Sequence, residues 1–186
     1  MESTIAAYDA SFRQATDDAT TLVEGLSHAQ FNWKPSPDVW SVAECLVHLN
    51  TSNAPYVESI QQALEGSRRT GAPPYRYGPV ARLFIAATEP EADRPSKTFP
   101  SMRPTPGTDH QAPAVLDTFR AINERFLEVL ALADREALDL ARIRIGSPFL
   151  PILRLPVGAF VEALAGHEHR HLNQARRVTA HPGFPT

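Results

Sequence analysis

The chain has 186 residues, 42% of them hydrophobic, with a formal net charge of −3. That is enough apolar material for a buried core in one domain, residues 1–186, and it argues against intrinsic disorder. The arginines are scattered apart from Arg68-Arg69 and Arg176-Arg177, so no nucleic-acid footprint stands out, and no apolar run approaches the ~20 residues of a membrane span.

Four helical segments are predicted. The first runs from about Thr4 to Leu26, with Ile5, Tyr8, Phe12, Ala15, Ala19, Leu22 and Val23 at helical spacing and Gly25 as a stop. A turn-rich connection with Pro35, Pro37 and Asp38 follows. The second starts near Ser41, an N-cap with Glu44 three residues on as in a capping box. Its stripe is Val42, Leu46, Leu49, Val57, Ile60 and Leu64, and Pro55 predicts a kink or break inside it. Nine of the 17 prolines fall between Pro73 and Pro113. Residues 66–113 therefore read as a mostly irregular crossover with a short helix at Val80–Ala87, long enough to cover one end of a cleft. The third helix spans about Ala114 to Leu132. Arg142 to Leu155 holds a short extended piece, and the fourth helix runs from near Pro156 to about Thr179. Four long amphipathic helices with almost no strand signal predict an all-α helical bundle.

Cys45 is the single cysteine, which excludes an internal disulfide and fits a reducing compartment. Met1-Glu2-Ser3-Thr4 lacks the character of a secretory signal, so a cytoplasmic protein is expected.

The chemistry concentrates in the fourth helix, at His167-Glu168-His169-Arg170-His171. His167 and His171 lie four residues apart, so both rings project from one face, roughly 6 Å apart at Cβ. They occupy the apolar stripe of Phe160, Leu164 and Val178, where an unpartnered polar ring is costly. Each either bonds a core carbonyl or carboxylate, or both converge on a metal ion. His169, about 200° around the helix from His167, is expected to face solvent. His28, His110 and His181 fall in loops or tails. His48 is the candidate third ligand, although the wheel sets it roughly 140° from the centre of its helix's apolar stripe. Free imidazoles titrate near 6.5, so metal binding is expected to weaken as pH falls toward about 6.

The same residues match the His-Glu-x-x-His pattern of zinc peptidases, in which the glutamate activates water. The extended pattern fails, because Arg177 stands at the third-histidine position and no acidic residue follows Glu168. Glu168 remains the candidate catalytic residue, activating a water or steadying a ligand. Cys45 reads as a packing residue, while Trp33, Trp40, Tyr75 and Tyr77 are candidates to line a cleft.

Two segments together resemble the DinB/YfiT-like superfamily: Phe31-Asn32-Trp33-Lys34-Pro35 with Trp40-Ser41, Glu44 and His48-Leu49, and then His167-Glu168-x-Arg170-His171-Leu172-x-Gln174. The resemblance implies an up-down-down-up four-helix bundle with a long proline-rich crossover. It implies a divalent metal, zinc or nickel, held by His48, His167 and His171. It further implies a thiol S-transferase acting on a small electrophile with a low-molecular-weight thiol, often in a homodimer. A metal-dependent hydrolase using a metal-bound water, and a non-catalytic bundle with a structural or vestigial metal, are the alternatives.

Overall fold

Each long helix starts and stops where the sequence supplies the chemistry for it. In the structure, a computed structural model, residues 3–89, 100–105 and 107–186 are described. Helix α1 (Ile5–Val23) is capped by Thr4, whose hydroxyl accepts from the Ala7 N–H, and the chain turns at Gly25 with φ +81°. Gly25 can take that left-handed conformation without a Cβ clash. A short helix, α2 (His28–Asn32), follows in what the sequence presents as a turn-rich connection. Its signal is Ser27-x-x-Gln30, which forms a complete capping box.

Helix α3 (Val42–Glu65) opens with the predicted box, Ser41 and Glu44 each bonding the other's backbone N–H at 3.0 Å. Lys34 donates to the same Glu44 carboxylate at 2.8 Å. Because His48 lies only about two turns further on, Ser41 fixes where that ring enters the core. Ser41→Ala is expected to cost about 1 kcal/mol, measured as a shift in the urea midpoint; no loss would show the cap to be idle. The break expected at Pro55 does not occur. Proline removes one N–H and leaves the Thr51 carbonyl without its helical donor, but Tyr56, Val57, Ile60 and Leu64 beyond it are buried, and their packing keeps the following turns helical.

Helix α4 (Pro79–Ala86) is the short helix expected in the proline-rich connection, and Pro100–Met102 form a single 3-10 turn. Residues 90–99 and 106 of that connection, and Met1-Glu2 of the signal reading, lie outside the described residues. Helix α5 (Ala112–Arg135) is longer than expected at both ends. Strands β1 (Arg144–Gly146) and β2 (Arg154–Pro156) pair antiparallel, Ile145 opposite Leu155, and both of these side chains are buried. The sequence reading anticipates one extended piece here; strands of three residues are too short to show an alternation. Helix α6 (Val157–Thr179) follows directly, with Pro156 as its N-cap rather than its first-turn residue.

The fold is mostly helical, with this small sheet as its only strand pairing of more than one bridge among the described residues. Helix α1 packs on α5 and α6, and α3 packs on the same two. The apolar core falls into two clusters. One gathers Tyr8 and Phe12, Tyr56 to Leu64, Ile122 to Ala133 and Val157 to Ala165. The other gathers Ala15 to Val23, Val42 to Leu49, Val115 to Phe119 and Leu172 to Val178. A polar layer stands between them. Asn53 of α3 donates to Glu168 Oε1 at 2.7 Å, and Asn123 of α5 donates to Glu168 Oε2 at 3.2 Å and to Thr16 Oγ1 of α1 at 3.0 Å. Glu168 is fully buried there.

Candidate metal centre

The histidines meet just beyond this polar layer, where α3 and α6 face each other. His48 is 2% exposed and His171 9%, and both point inward. The wheel sets His48 off the apolar stripe because it counts one buried stripe; α3 packs on both α5 and α6, and the second contact buries the arc that carries His48. His167 Nε2 lies 3.2 Å from His48 Nε2 and 3.1 Å from His171 Nε2, and the three donor atoms all fall within 4.8 Å of one another. Among the described residues this is the one group of three or more potential ligands so placed.

The remaining ring nitrogens indicate which lone pairs point inward. His48 Nδ1 is 2.8 Å from the Met102 carbonyl, and His171 Nδ1 is 3.0 Å from the side-chain oxygen of Gln174. Each oxygen can only accept, so each Nδ1 carries the proton and each Nε2 presents a bare lone pair. This is the arrangement in which an outer carbonyl fixes the tautomer and aim of a metal-ligating histidine. His167 Nδ1 is buried and has no hydrogen-bond partner among the described residues, so nothing selects its tautomer. As the Nε2–H form it donates to one neighbour; as the Nδ1–H form it adds a third lone pair.

A divalent ion fits this donor set. Ligand distances of 2.0–2.1 Å in tetrahedral geometry put neighbouring nitrogens roughly 3.3 Å apart, close to the two separations found. Bare lone pairs crowded this tightly repel each other unless a cation or a proton lies between them. Burial holds all three imidazoles below the ordinary histidine range, His171 down to about 3, with the neighbouring rings adding to the effect at His167 and His171. Neutral rings are the form that binds metal.

Around the rings, Trp40 lies against His48 and His171, with centroids 4.9 and 5.7 Å away. Trp33 instead packs on His181 and Phe184 of the C-terminal tail, and Tyr75 and Tyr77 line a separate cleft. Cys45 is fully buried in the apolar core, and burial pushes its thiol pKa upward.

Two expectations need correction. His169 does not face solvent. It is half-buried, with Nε2 2.9 Å from Ser11 Oγ, because α1 covers that side of α6. His28, placed by the sequence in a loop, opens α2 and forms an exposed pair with Asp109 at 2.8 Å. Glu168 has both oxygens engaged by Asn53 and Asn123 in the polar layer. Burial pushes its pKa up to about 8, against the pull of those two amides.

The sequence pattern of the DinB superfamily matches residues 11–175, most of the chain. No curated protein and no solved structure matches.

Proposed function

Since the chain belongs to the DinB superfamily and brings three histidine nitrogens to one point, we propose that it is a divalent-metal-dependent enzyme, of the thiol S-transferase type, acting on a small electrophile. The observation that carries this reading is the converging set of Nε2 atoms, two of them aimed by oxygens on the opposite side of the ring. Three protein ligands leave a position open, as in catalytic rather than structural zinc sites. When bound, zinc or nickel supplies Lewis acidity that lowers the pKa of a thiol or water taking that position.

The chain's own residues favour the thiol. Hydrolysis benefits from a base beside the attacking water, and the one acid of the motif, Glu168, is engaged in the polar layer. A thiol needs no such base once it has ionised. His48, His167 and His171 hold the ion, the Met102 carbonyl and Gln174 orient two of the rings, and Trp40 shields their flank from water. Cys45 cannot serve as the thiol from the apolar core, so the thiol comes from outside, as a low-molecular-weight cofactor.

The same reading includes an up-down-down-up four-helix bundle forming one domain, residues 1–186. It is supported by the sequence in which α1 and α6 pass from the first apolar cluster to the second while α3 and α5 pass back. A cytoplasmic homodimer without nucleic-acid partners completes it. No described helix is long and apolar enough to cross a membrane.

The test uses untagged protein purified without chelator, loaded with zinc or nickel, and assayed with glutathione, mycothiol or bacillithiol against monochlorobimane. Thioether formation that needs the metal and is lost in His48→Ala is the expected result. A rate unchanged by chelator, or metal-dependent ester hydrolysis without thiol transfer, overturns the assignment.

A further inference from the structure

A second cleft, with no histidine in its lining, is formed where the start of α1, residues 75–89 and the first turns of α6 meet. Its volume is about 560 Å³, within the size range of small-molecule sites. At its wall, Glu162 Oε2 accepts from Ser3 Oγ at 2.7 Å and from the Tyr8 hydroxyl at 2.9 Å. Tyr8 spends its one proton on that carboxylate, so the Tyr77 hydroxyl, 2.7 Å away, donates to Tyr8. Gly158 makes room for this relay, since a Cβ there would run into the Tyr77 hydroxyl. The relay holds the Glu162 carboxylate in one orientation and leaves Oε1 without a protein donor among the described residues.

Two cations share the cleft. Arg76 and Arg82 line it, and neither guanidinium forms an ion pair or hydrogen bond with any described residue, although Glu162 and Glu89 line the same cleft. Elsewhere on this surface arginines and acids pair readily, as in Arg13–Asp9 and Arg176–Asp18. The cleft thus keeps a fixed carboxylate oxygen and two guanidinium groups on its walls that do not neutralise each other, and neither guanidinium has a partner among the described residues. Guanidinium groups bind carboxylates through parallel N–H bonds, and a buried-edge carboxylate takes an ammonium.

We propose that this cleft binds a small amino acid as its zwitterion, the ligand's carboxylate on Arg76 and Arg82 and its ammonium on Glu162 Oε1. Glu89 gives a second acceptor for an amine that reaches further. Tyr8, Tyr77 and Ser3 are positioning residues, which act by fixing Glu162. The site is independent of the metal centre: Glu162 and His169 lie on the side of α6 covered by α1, and His167 and His171 face α3.

The test is a titration of the full chain with glycine, 4-aminobutyrate and glutamate, read by saturation-transfer NMR and thermal shift. Acetate and methylammonium serve as half-ligands. At least one zwitterion should bind saturably, and both half-ligands should bind at least about 10-fold more weakly. The double variant Arg76→Gln/Arg82→Gln changes only exposed side chains, and it should weaken binding at least about 10-fold without lowering the melting temperature. Glu162→Gln, which keeps an acceptor for Ser3 and Tyr8, should do the same. His171→Ala should leave binding unchanged. The proposal is overturned by no saturable binding up to about 10 mM, by acetate matching the zwitterions, by unchanged affinity in the arginine double variant, or by equal loss in His171→Ala, which would place the probes at the histidines.

Discussion

Replacing His167 with alanine should lower zinc affinity by more than about 100-fold, because even the groups that merely orient a ligand are worth about 10- to 100-fold. His167 is the ring common to both short nitrogen contacts, so its loss leaves His48 and His171 with no shared partner. His48→Ala and His171→Ala should fail as badly. Gln174→Ala frees the His171 ring without removing it and should cost about 10-fold. His169→Ala should keep full metal content, since its ring is bonded to Ser11 on the α1 side. Competition with a chromophoric chelator measures all five proteins. Equal loss in His169→Ala and His171→Ala would refute the ligand assignment. The pH dependence also departs from that of free imidazole. Burial depresses the three pKa values, so metal should be retained through pH 6 and lost only in stronger acid.

Glu168→Ala should destabilise the protein by about 3 kcal/mol, because two buried amide donors lose their acceptor at about 1–3 kcal/mol each and Asn123 keeps Thr16. For a chain of this length that is a fall of roughly 6–12 °C in melting temperature. Below about pH 4.5, Glu168→Gln retains an acceptor oxygen and should cost about 1 kcal/mol. Equal melting temperatures for wild type and Glu168→Ala would show that the polar layer contributes nothing. The sign of the pH effect follows from the raised pKa. A carboxyl at about 8 in the folded chain and near 4.5 unfolded contributes stability that is fully present below about pH 4.5 and is lost as pH rises through about 8. The Gln variant cannot ionise, so in metal-free protein it should gain on wild type between about pH 4.5 and 8; parallel urea midpoints would contradict this.

The four long helices were legible because each carries an apolar residue every three or four positions over five or more turns, as with Tyr8, Phe12, Ala15 and Ala19. The histidine set was legible by resemblance more than by geometry. A wheel ranks positions by a single buried face, whereas α3 and α6 each touch several neighbours, so it set His48 off its helix's stripe and misplaced His169. Glu168 showed the same limit: the motif offers it as a base at the ion, but 100° per residue turns it toward Asn53 and Asn123. Helix α2 was announced by Ser27 and Gln30, yet five residues give no period to read. Of the second cleft only Tyr75 and Tyr77 stood out as lining candidates, since its walls come from residues 3, 75–89 and 162.

The oxygen that holds the His48 ring belongs to the main chain of Met102. No substitution at position 102 other than one that moves the backbone can remove it, so the side chain there is free to drift in evolution. Chain length is not free in the same way. Deleting or inserting one residue next to Pro100–Met102 would offer His48 a neighbouring carbonyl in a different direction, or none. The proline-rich segment is therefore expected to tolerate exchange of its letters far better than change in their number, and protein engineers shortening this loop should find metal retention the first property to fail.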